Sequence, residues 1–427
     1  MPLSDTDYRP RLIDCKIRDF LKTFGAICVE GPKWCGKTWT SSHHAQSTFF
    51  LGNPSGNFQN RKLAELDPSL VLAGNVPRLL DEWQEVPALW DAVRHEVDQS
   101  PQKGRFILTG SATPVHKGIV HSGAGRIARI RMRPMSLFES GESSGEVSLR
   151  SLFSGEFKQK LTGEVKLDNL IGSVLRGGWP ASIGLDAQQA SLIPLEYINA
   201  ILEDDVHRID GVRRDLTKMR LLLRSLARNE STTISVRKLK NDIREVDDET
   251  LDESTVASYL DVLARLFLID NQQPFDTNIR SSVRLKQAEK RHLADPSLAA
   301  ALLGANKNKL LGDLRTFGFL FEALCERDLR IYAEASSWKL YHYQDYDNCE
   351  IDAVVETDSG TWGAFEIKLG ANEIDAAAEN LKRVDGKLAA DPKGKRASVL
   401  CVICGMSSAA YVREDGVIVV PITALRD

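Results

Sequence analysis

No stretch of this 427-residue chain approaches the roughly 20 consecutive apolar residues that a bilayer-spanning helix needs. The start, Met1 to Arg11, is polar and charged and lacks the apolar segment of an export signal. Both features argue against membrane insertion and secretion, so the expected compartment is the cytoplasm. Nor is there an excess of positive charge. Fifty-five Lys plus Arg stand against 59 Asp plus Glu, a net charge of -4, so any contact with nucleic acid has to be local. Cysteine is sparse, with seven residues at positions 15, 28, 35, 325, 349, 401 and 404, an odd count that fits a reducing compartment. Cys401 and Cys404 have the spacing of a metal-binding pair, but no second pair lies nearby. The run from Ser398 to Cys404 is apolar, so a core strand is expected there. Internal repeats and low-complexity tracts are also lacking. Apolar residues make up 42%, enough for a chain of this length to bury about three domains.

From Phe24 the order is apolar strand, glycine-rich turn, helix. Gly31, Gly36, Lys37 and Thr38 fit G-x-x-x-x-G-K-[ST] in the place that motif requires. Glycines let backbone amides close around phosphate oxygens, Lys37 reaches the β and γ phosphates, and the Thr38 hydroxyl ligates magnesium. The expected nucleotide cradle is Gly31, Pro32, Lys33, Trp34, Cys35, Gly36, Lys37, Thr38 and Trp39, with ATP and Mg2+ as cofactors. Cys35 inside the loop reads as space-filling rather than as an oxidation-sensitive thiol.

Leu79 to Glu82 supplies what the loop lacks. Asp81, ending a buried strand, can hold magnesium through its water shell, and Glu82 can orient and polarise the attacking water. Ser111, after Leu108-Thr109-Gly110, stands where a polar residue can lie between that water and the γ phosphate, and Thr109 is an equal candidate. Arginines 126, 129, 131 and 133 follow with no acid among them. Arg126 is a candidate arginine finger acting at a neighbouring subunit's site, and the competing reading is an edge strand whose alternating arginines face water.

Strands separated by helices imply a parallel, helix-wound sheet. The Ser, Gly and Glu-rich stretch from Ser136 to about Asn169 reads as a loop or linker. From Ile171 to Glu230 the apolar residues recur at helical spacing. Val206 to Lys240 carries ten Lys or Arg against three acids, and Asn241 to Glu253 reverses the sign with seven acids and one Arg. Ile234 to Phe275 has the outline of a winged helix-turn-helix: a helix from Val236 to Ile243, a second capped near Asp252 or Ser254, and a strand at Phe267 to Asp270. Its second helix has only Arg265 as a base-reading cation. DNA contact is therefore expected through the basic stretch 206–240, with Arg213, Arg214 and Lys218 as the residues to test.

A second α/β region follows. Asp352, Glu366 and Lys368 form D-x13-E-x-K over two adjacent strands, and Glu366 and Lys368, two apart, leave one face. Asp352 and Glu366 can bind magnesium, Lys368 can orient or activate a water, and Glu322 on the preceding helix is a fourth candidate, with Glu350 in reserve. This is the arrangement of the PD-(D/E)xK nuclease fold, which also serves as an inert binding or assembly module.

These residues resemble a known family. Glu30 to Thr38, Leu79 to Gln84, Phe106 to Ala112, Gly125-Arg126 and Met132 to Glu139 look like bacterial and archaeal AAA-type ATP-binding proteins with a C-terminal domain of unknown function. Leu175 to Pro180, Tyr197 to Leu202, Tyr259 to Leu263 and Glu350 to Lys368 are similar to their second half. The resemblance implies an AAA-like P-loop ATPase at 1–140, a linker and helical region at 141–230, a winged helix-turn-helix at 231–280 and a restriction-endonuclease-like domain at 281–427. It also implies ATPase roles for Gly31, Gly36, Lys37, Thr38, Asp81, Glu82 and Arg126 and nuclease-like roles for Glu322, Asp352, Glu366 and Lys368, while Ser111 is a catalytic candidate from its place after Gly110 alone. Two functions are expected: an ATPase coupled to a DNA-directed nuclease-like domain, or a nucleotide-dependent switch, assembly or defence protein whose last domain does not cut. A finger acting in trans requires a homo-oligomer; a protein partner fits the second function.

Overall fold

β1 (Ala26–Glu30) is apolar and buried along four of its five residues because neighbours flank it on both sides. β2 (Ser47–Phe50), β3 (Arg78–Asp81), β4 (Phe106–Gly110) and β5 (Ile127–Arg131) complete a five-stranded sheet in the order β2-β3-β4-β1-β5, every pairing parallel. Parallel strands bring the ends of β1, β3 and β4 to one edge, where the phosphate loop, Asp81-Glu82 and Ser111 were expected to meet. The computed structural model describes residues 8–113, 121–244, 252–278, 280–282, 284, 287–345, 347 and 349–427. Met1–Asp7 of the polar start and residues 245–251 of the acidic run lie outside the described residues. No helix among the described residues is long and apolar enough to cross a membrane.

β6 (Val147–Ser148), β7 (Lys160–Leu161) and β8 (Gln273–Pro274) are two-residue strands. With β9 (Lys339–Gln344), β10 (Glu350–Glu356), β11 (Trp362–Lys368), β12 (Val399–Cys404), β13 (Ala409–Val412) and β14 (Ile418–Pro421), β7 and β8 form a mixed eight-stranded sheet, β7-β13-β14-β12-β11-β10-β9-β8. The stretch expected as a linker is thereby built into the C-terminal half. β7 extends the second sheet, and β6 pairs with β15 (Leu425–Arg426). Its serines bond backbone instead of water: Ser143 Oγ donates to Leu425 O at 2.7 Å and Ser148 Oγ to Asp427 O at 2.6 Å. Cys401 and Cys404 are buried on β12, as their apolar context implied.

The middle helices follow the periodicity. Leu216–Arg228 buries Met219, Leu222, Leu223 and Leu226 and is capped by Asp215, and Glu253–Arg265 is capped by Asp252. The strand expected at Phe267 to Asp270 is reduced to single bridges, Ile269 to Leu293 and Gln272 to Lys290, with Thr232 to Arg291 beside them. The helices share one hydrophobic core with one face of the second sheet, from Leu137 through Leu263 to Phe365 and Leu425. The 22-residue helix Leu314–Ala335 runs through that core, and helix Ile374–Ala390 covers the other face.

Candidate functional site

The phosphate loop is shaped by contacts that leave little choice of residue. A side chain at Gly31 would put its Cβ 2.1 Å from Met132 O, and Gly36 holds φ 101° at the start of helix Lys37–His43. Lys37, 4% exposed, curls back so that its ammonium donates to Pro32 O at 2.8 Å. Thr38 Oγ1 donates to Asp81 Oδ1 at 2.8 Å, and Thr109 Oγ1 donates to the same oxygen at 2.6 Å. Burial pushes the Asp81 carboxyl up, and these two hydroxyls offset part of that. Glu82, in the left-handed region at φ 59°, donates its amide to Thr109 Oγ1 at 3.0 Å. Its carboxylate accepts from Ser111 Oγ at 2.8 Å and from the Gln84 amide. Both polar candidates after β4 are therefore used, Thr109 on Asp81 and Ser111 on Glu82. A hydroxyl and a carboxylate in contact at the loop are hard oxygen donors that fit magnesium.

Three partners of the loop were not anticipated. Arg11, 7% exposed, donates to Cys35 O at 2.9 Å and to Arg133 O at 2.9 Å while pairing with Glu139 at 2.9 Å. Lys33 pairs with Asp205 at 2.7 Å, in a π-helical turn at Ile201–Asp205, and Trp34 lies 6.2 Å from the Tyr197 ring. Gln84 was visible only as part of a resemblance motif. Cys35 is fully buried, which agrees with a space-filling role, and Trp34 and Trp39 are exposed.

Arg126 stands at the opposite edge of the sheet from the phosphate loop. β5 runs parallel to β1 with Ile127 opposite Ala26, so Arg126 lies at the strand start, where it pairs with Asp98 at 2.8 Å. It cannot serve its own chain's phosphates from there. The other arginines do not simply face water either. Arg129 pairs with Glu30, and Arg131 and Arg133 reach Asp270 at 3.6 and 2.5 Å. Arg330 approaches the same carboxylate at 3.1 Å, and Arg133 also pairs with Glu334. Burial alone would raise the Asp270 carboxyl; Arg133, Arg330 and Arg131 outweigh it and hold it far below the usual range.

In the second sheet three of the four expected residues, Asp352, Glu366 and Lys368, come together. Lys368 Nζ sits 2.7 Å from Glu366 Oε2 and 3.2 Å from Asp352 Oδ2, and Asp352 accepts the Ile367 amide at 2.8 Å beside a register shift in β10. Asn380 donates to Glu366 Oε1 at 2.9 Å. Burial and then Asp352 push the Glu366 carboxyl up, against Lys368. Glu322 instead meets Lys290, whose ammonium also binds Glu326 at 2.7 Å and Asp352 O at 3.3 Å. His292 lies between Glu230 and Glu326, 3.0 Å from each. Glu350 is exposed. Each carboxylate of the expected metal site thus faces an ammonium. Among the described residues no three His, Cys, Asp or Glu side chains are grouped to hold a metal.

The basic stretch is redistributed too. Arg214 is clamped on Asp210 at 2.5 Å and Lys218 reaches Asp215 at 3.8 Å, whereas Arg213 is exposed, and Arg220, Arg224 and Arg228, the last 3.5 Å from Asp242, line one exposed face of helix Leu216–Arg228.

Residues 23–140 match the AAA domain family, residues 167–309 a domain of unknown function (DUF8612) and residues 317–425 another (DUF4143). Uncharacterized proteins of Mycobacterium bovis and Mycobacterium tuberculosis are each 27% identical over 360 residues, 83% of this chain and 72% of theirs. A Walker-type ATPase of Pyrococcus abyssi is 14% identical in sequence, with a TM-score of 0.44 over 70% of this chain and 97% of that one. The residues matched by the AAA domain model, 23–140, are the ones that build the five-stranded parallel sheet and its phosphate loop.

Proposed function

We propose that this protein hydrolyses ATP and uses its nucleotide state to switch the helical and C-terminal regions docked on the ATPase sheet. The observation that carries the reading is Asp81, whose one carboxylate oxygen receives both Thr38 at 2.8 Å and Thr109 at 2.6 Å. Loop amides and Lys37 bind the phosphates, and Glu82, held by Ser111 and Gln84, orients a water for in-line attack. Magnesium held by Thr38 and Asp81 would neutralise charge on the β and γ phosphates. Release of phosphate from ATP by the wild type, lost in Asp81→Asn, tests it; equal release by both proteins contradicts it. Arg126, far from its own loop, has an arginine-finger role only toward a neighbouring copy. Arg126→Ala would then stop hydrolysis while sparing ATP binding, and unchanged turnover removes that role.

Within the basic stretch 206–240 the DNA contact we propose is through its exposed arginines, Arg213, Arg220, Arg224 and Arg228. Helices Leu216–Arg228, Val236–Arg244 and Glu253–Arg265, followed by the bridged segments 269–272 and 290–293, support the winged-helix reading of this region. A second reading, a phosphodiester-cleaving C-terminal domain, is favoured by the convergence of Asp352, Glu366 and Lys368. Cleavage of plasmid DNA that disappears in Asp352→Ala would support it. ATP hydrolysis with no cleavage of plasmid, linear or single-stranded DNA or RNA favours the switch alone.

A further inference from the structure

Lys290 is 7% exposed and lies on the segment that pairs with Gln272, remote in sequence from the D-x13-E-x-K residues. An ammonium has three N–H donors. Here they meet Glu322 Oε1, Glu326 Oε1 at 2.7 Å and Asp352 O at 3.3 Å. A lysine taken out of water is held charged only where opposite charge repays the desolvation. That repayment is local, since two carboxylates, Glu322 and Glu326, face the one ammonium. On the other side of Asp352, Lys368 neutralises Glu366. The backbone fixes Lys290 in place, because Gln272 and Lys290 exchange both N–H···O bonds at 2.9 Å and Asp270 N donates to His292 O at 2.9 Å. The segment that carries Lys290 is thereby tied to Asp270, the carboxylate gripped by Arg131 and Arg133 at the end of the five-stranded sheet.

We propose that the Lys290 ammonium is a built-in cation that takes the place of a divalent ion between Glu322, Glu326 and the Asp352 carbonyl, beside the Asp352 carboxylate that Lys368 holds, so that the C-terminal site of this chain excludes metal in its resting state. This deepens the switch reading, since a site plugged by its own lysine cannot cut until the plug moves. The carboxylates are divided between two lysines: Glu322 is turned onto Lys290 while Glu366 is turned onto Lys368.

The test is Mn2+ binding by the nucleotide-free full chain, followed by electron paramagnetic resonance. The wild type should show no saturable Mn2+ binding that depends on Asp352, and Mn2+ should leave its melting temperature unchanged. Lys290→Met removes the charge at similar length. It should bind Mn2+ roughly tenfold or more tightly than the wild type, gain melting temperature with Mn2+, and lose both on addition of Asp352→Asn. Lys290→Arg keeps the cation and should behave as the wild type. Saturable binding by the wild type that Asp352→Asn abolishes overturns the proposal, and this arm needs no folded Lys290→Met protein. A folded Lys290→Met that takes up no Mn2+ overturns it as well. ATP hydrolysis by the same preparations separates the two claims: an inactive ATPase with a metal-free site sinks the switch and leaves the plug, and the reverse result does the opposite.

Discussion

The Arg133 guanidinium and the Asp270 carboxylate meet at 2.5 Å, joining the end of the five-stranded sheet to the turn after helix Glu253–Arg265. Met132, one residue before Arg133, donates its amide to Glu30 O at 2.7 Å, and its carbonyl is the atom that Gly31 must clear. Arg330 and Glu334, on the far side of the junction, share a helix with Glu322 and Glu326. A short chain of direct contacts therefore links the phosphate loop to the carboxylate cluster.

Asp270→Asn leaves three guanidinium groups facing a neutral amide. Breaking a buried ion pair from one side costs about 3–5 kcal/mol. Chemical denaturation should show a loss of that order, and a double-mutant cycle with Arg133→Met should show strong coupling. A loss below about 1 kcal/mol would mean that the junction contributes little.

Arg11 holds the phosphate loop from outside it, through Cys35 O. Arg11→Met removes a charge-assisted bond worth about 1.5–3 kcal/mol. ATP affinity, followed with a fluorescent analogue, should fall roughly tenfold or more, with a smaller change in kcat. Unchanged affinity would make Arg11 a purely structural residue.

Reversing charge at Arg220, Arg224 and Arg228 should weaken DNA binding and lower the slope of log affinity against log salt by about 3, since each phosphate contact contributes roughly 0.9. Arg214→Glu should destabilise the fold through loss of its Asp210 pair more than it weakens binding per folded molecule. DNA affinity that is insensitive to both salt and the triple reversal would end the case for this face.

His292 gives a pH signature. Burial alone would lower its pKa, but Glu326 and Glu230 outweigh that and raise it to about 9. The folded state thus binds the proton more tightly than the unfolded one. The stabilisation is complete below the ordinary value near 6.5 and is lost as pH rises from there to about 9. Over this window the wild-type melting temperature should fall more steeply than that of His292→Gln. Parallel profiles would show that the histidine is not held charged.

The nucleotide site was largely legible because its parts are short-range: two glycines, a lysine and a hydroxyl within eight residues, and acids at the end of an apolar strand. Where Arg126 lies relative to its own loop was not legible without strand direction. Once β5 is parallel to β1, a residue just before β5 must lie at the edge away from the loop. Asp352, Glu366 and Lys368 were legible from their alternation, whereas Lys290, Glu326, His292 and Glu230 come from three separate segments joined by bridges and packing. No local pattern marks a lysine as buried. The serine-rich stretch read as a linker for a related reason, since its partners are the last residues of the chain.

The most direct test of the account is phosphate release from ATP by the full chain, measured beside ATP binding, for the wild type, Lys37→Ala and Glu82→Gln. The wild type should bind and hydrolyse. Lys37→Ala should do neither, and Glu82→Gln should bind normally while turnover falls by about 10²–10⁴-fold, the usual contribution of a positioned base. Binding without measurable hydrolysis by the wild type, or equal turnover by the wild type and Glu82→Gln, would contradict it.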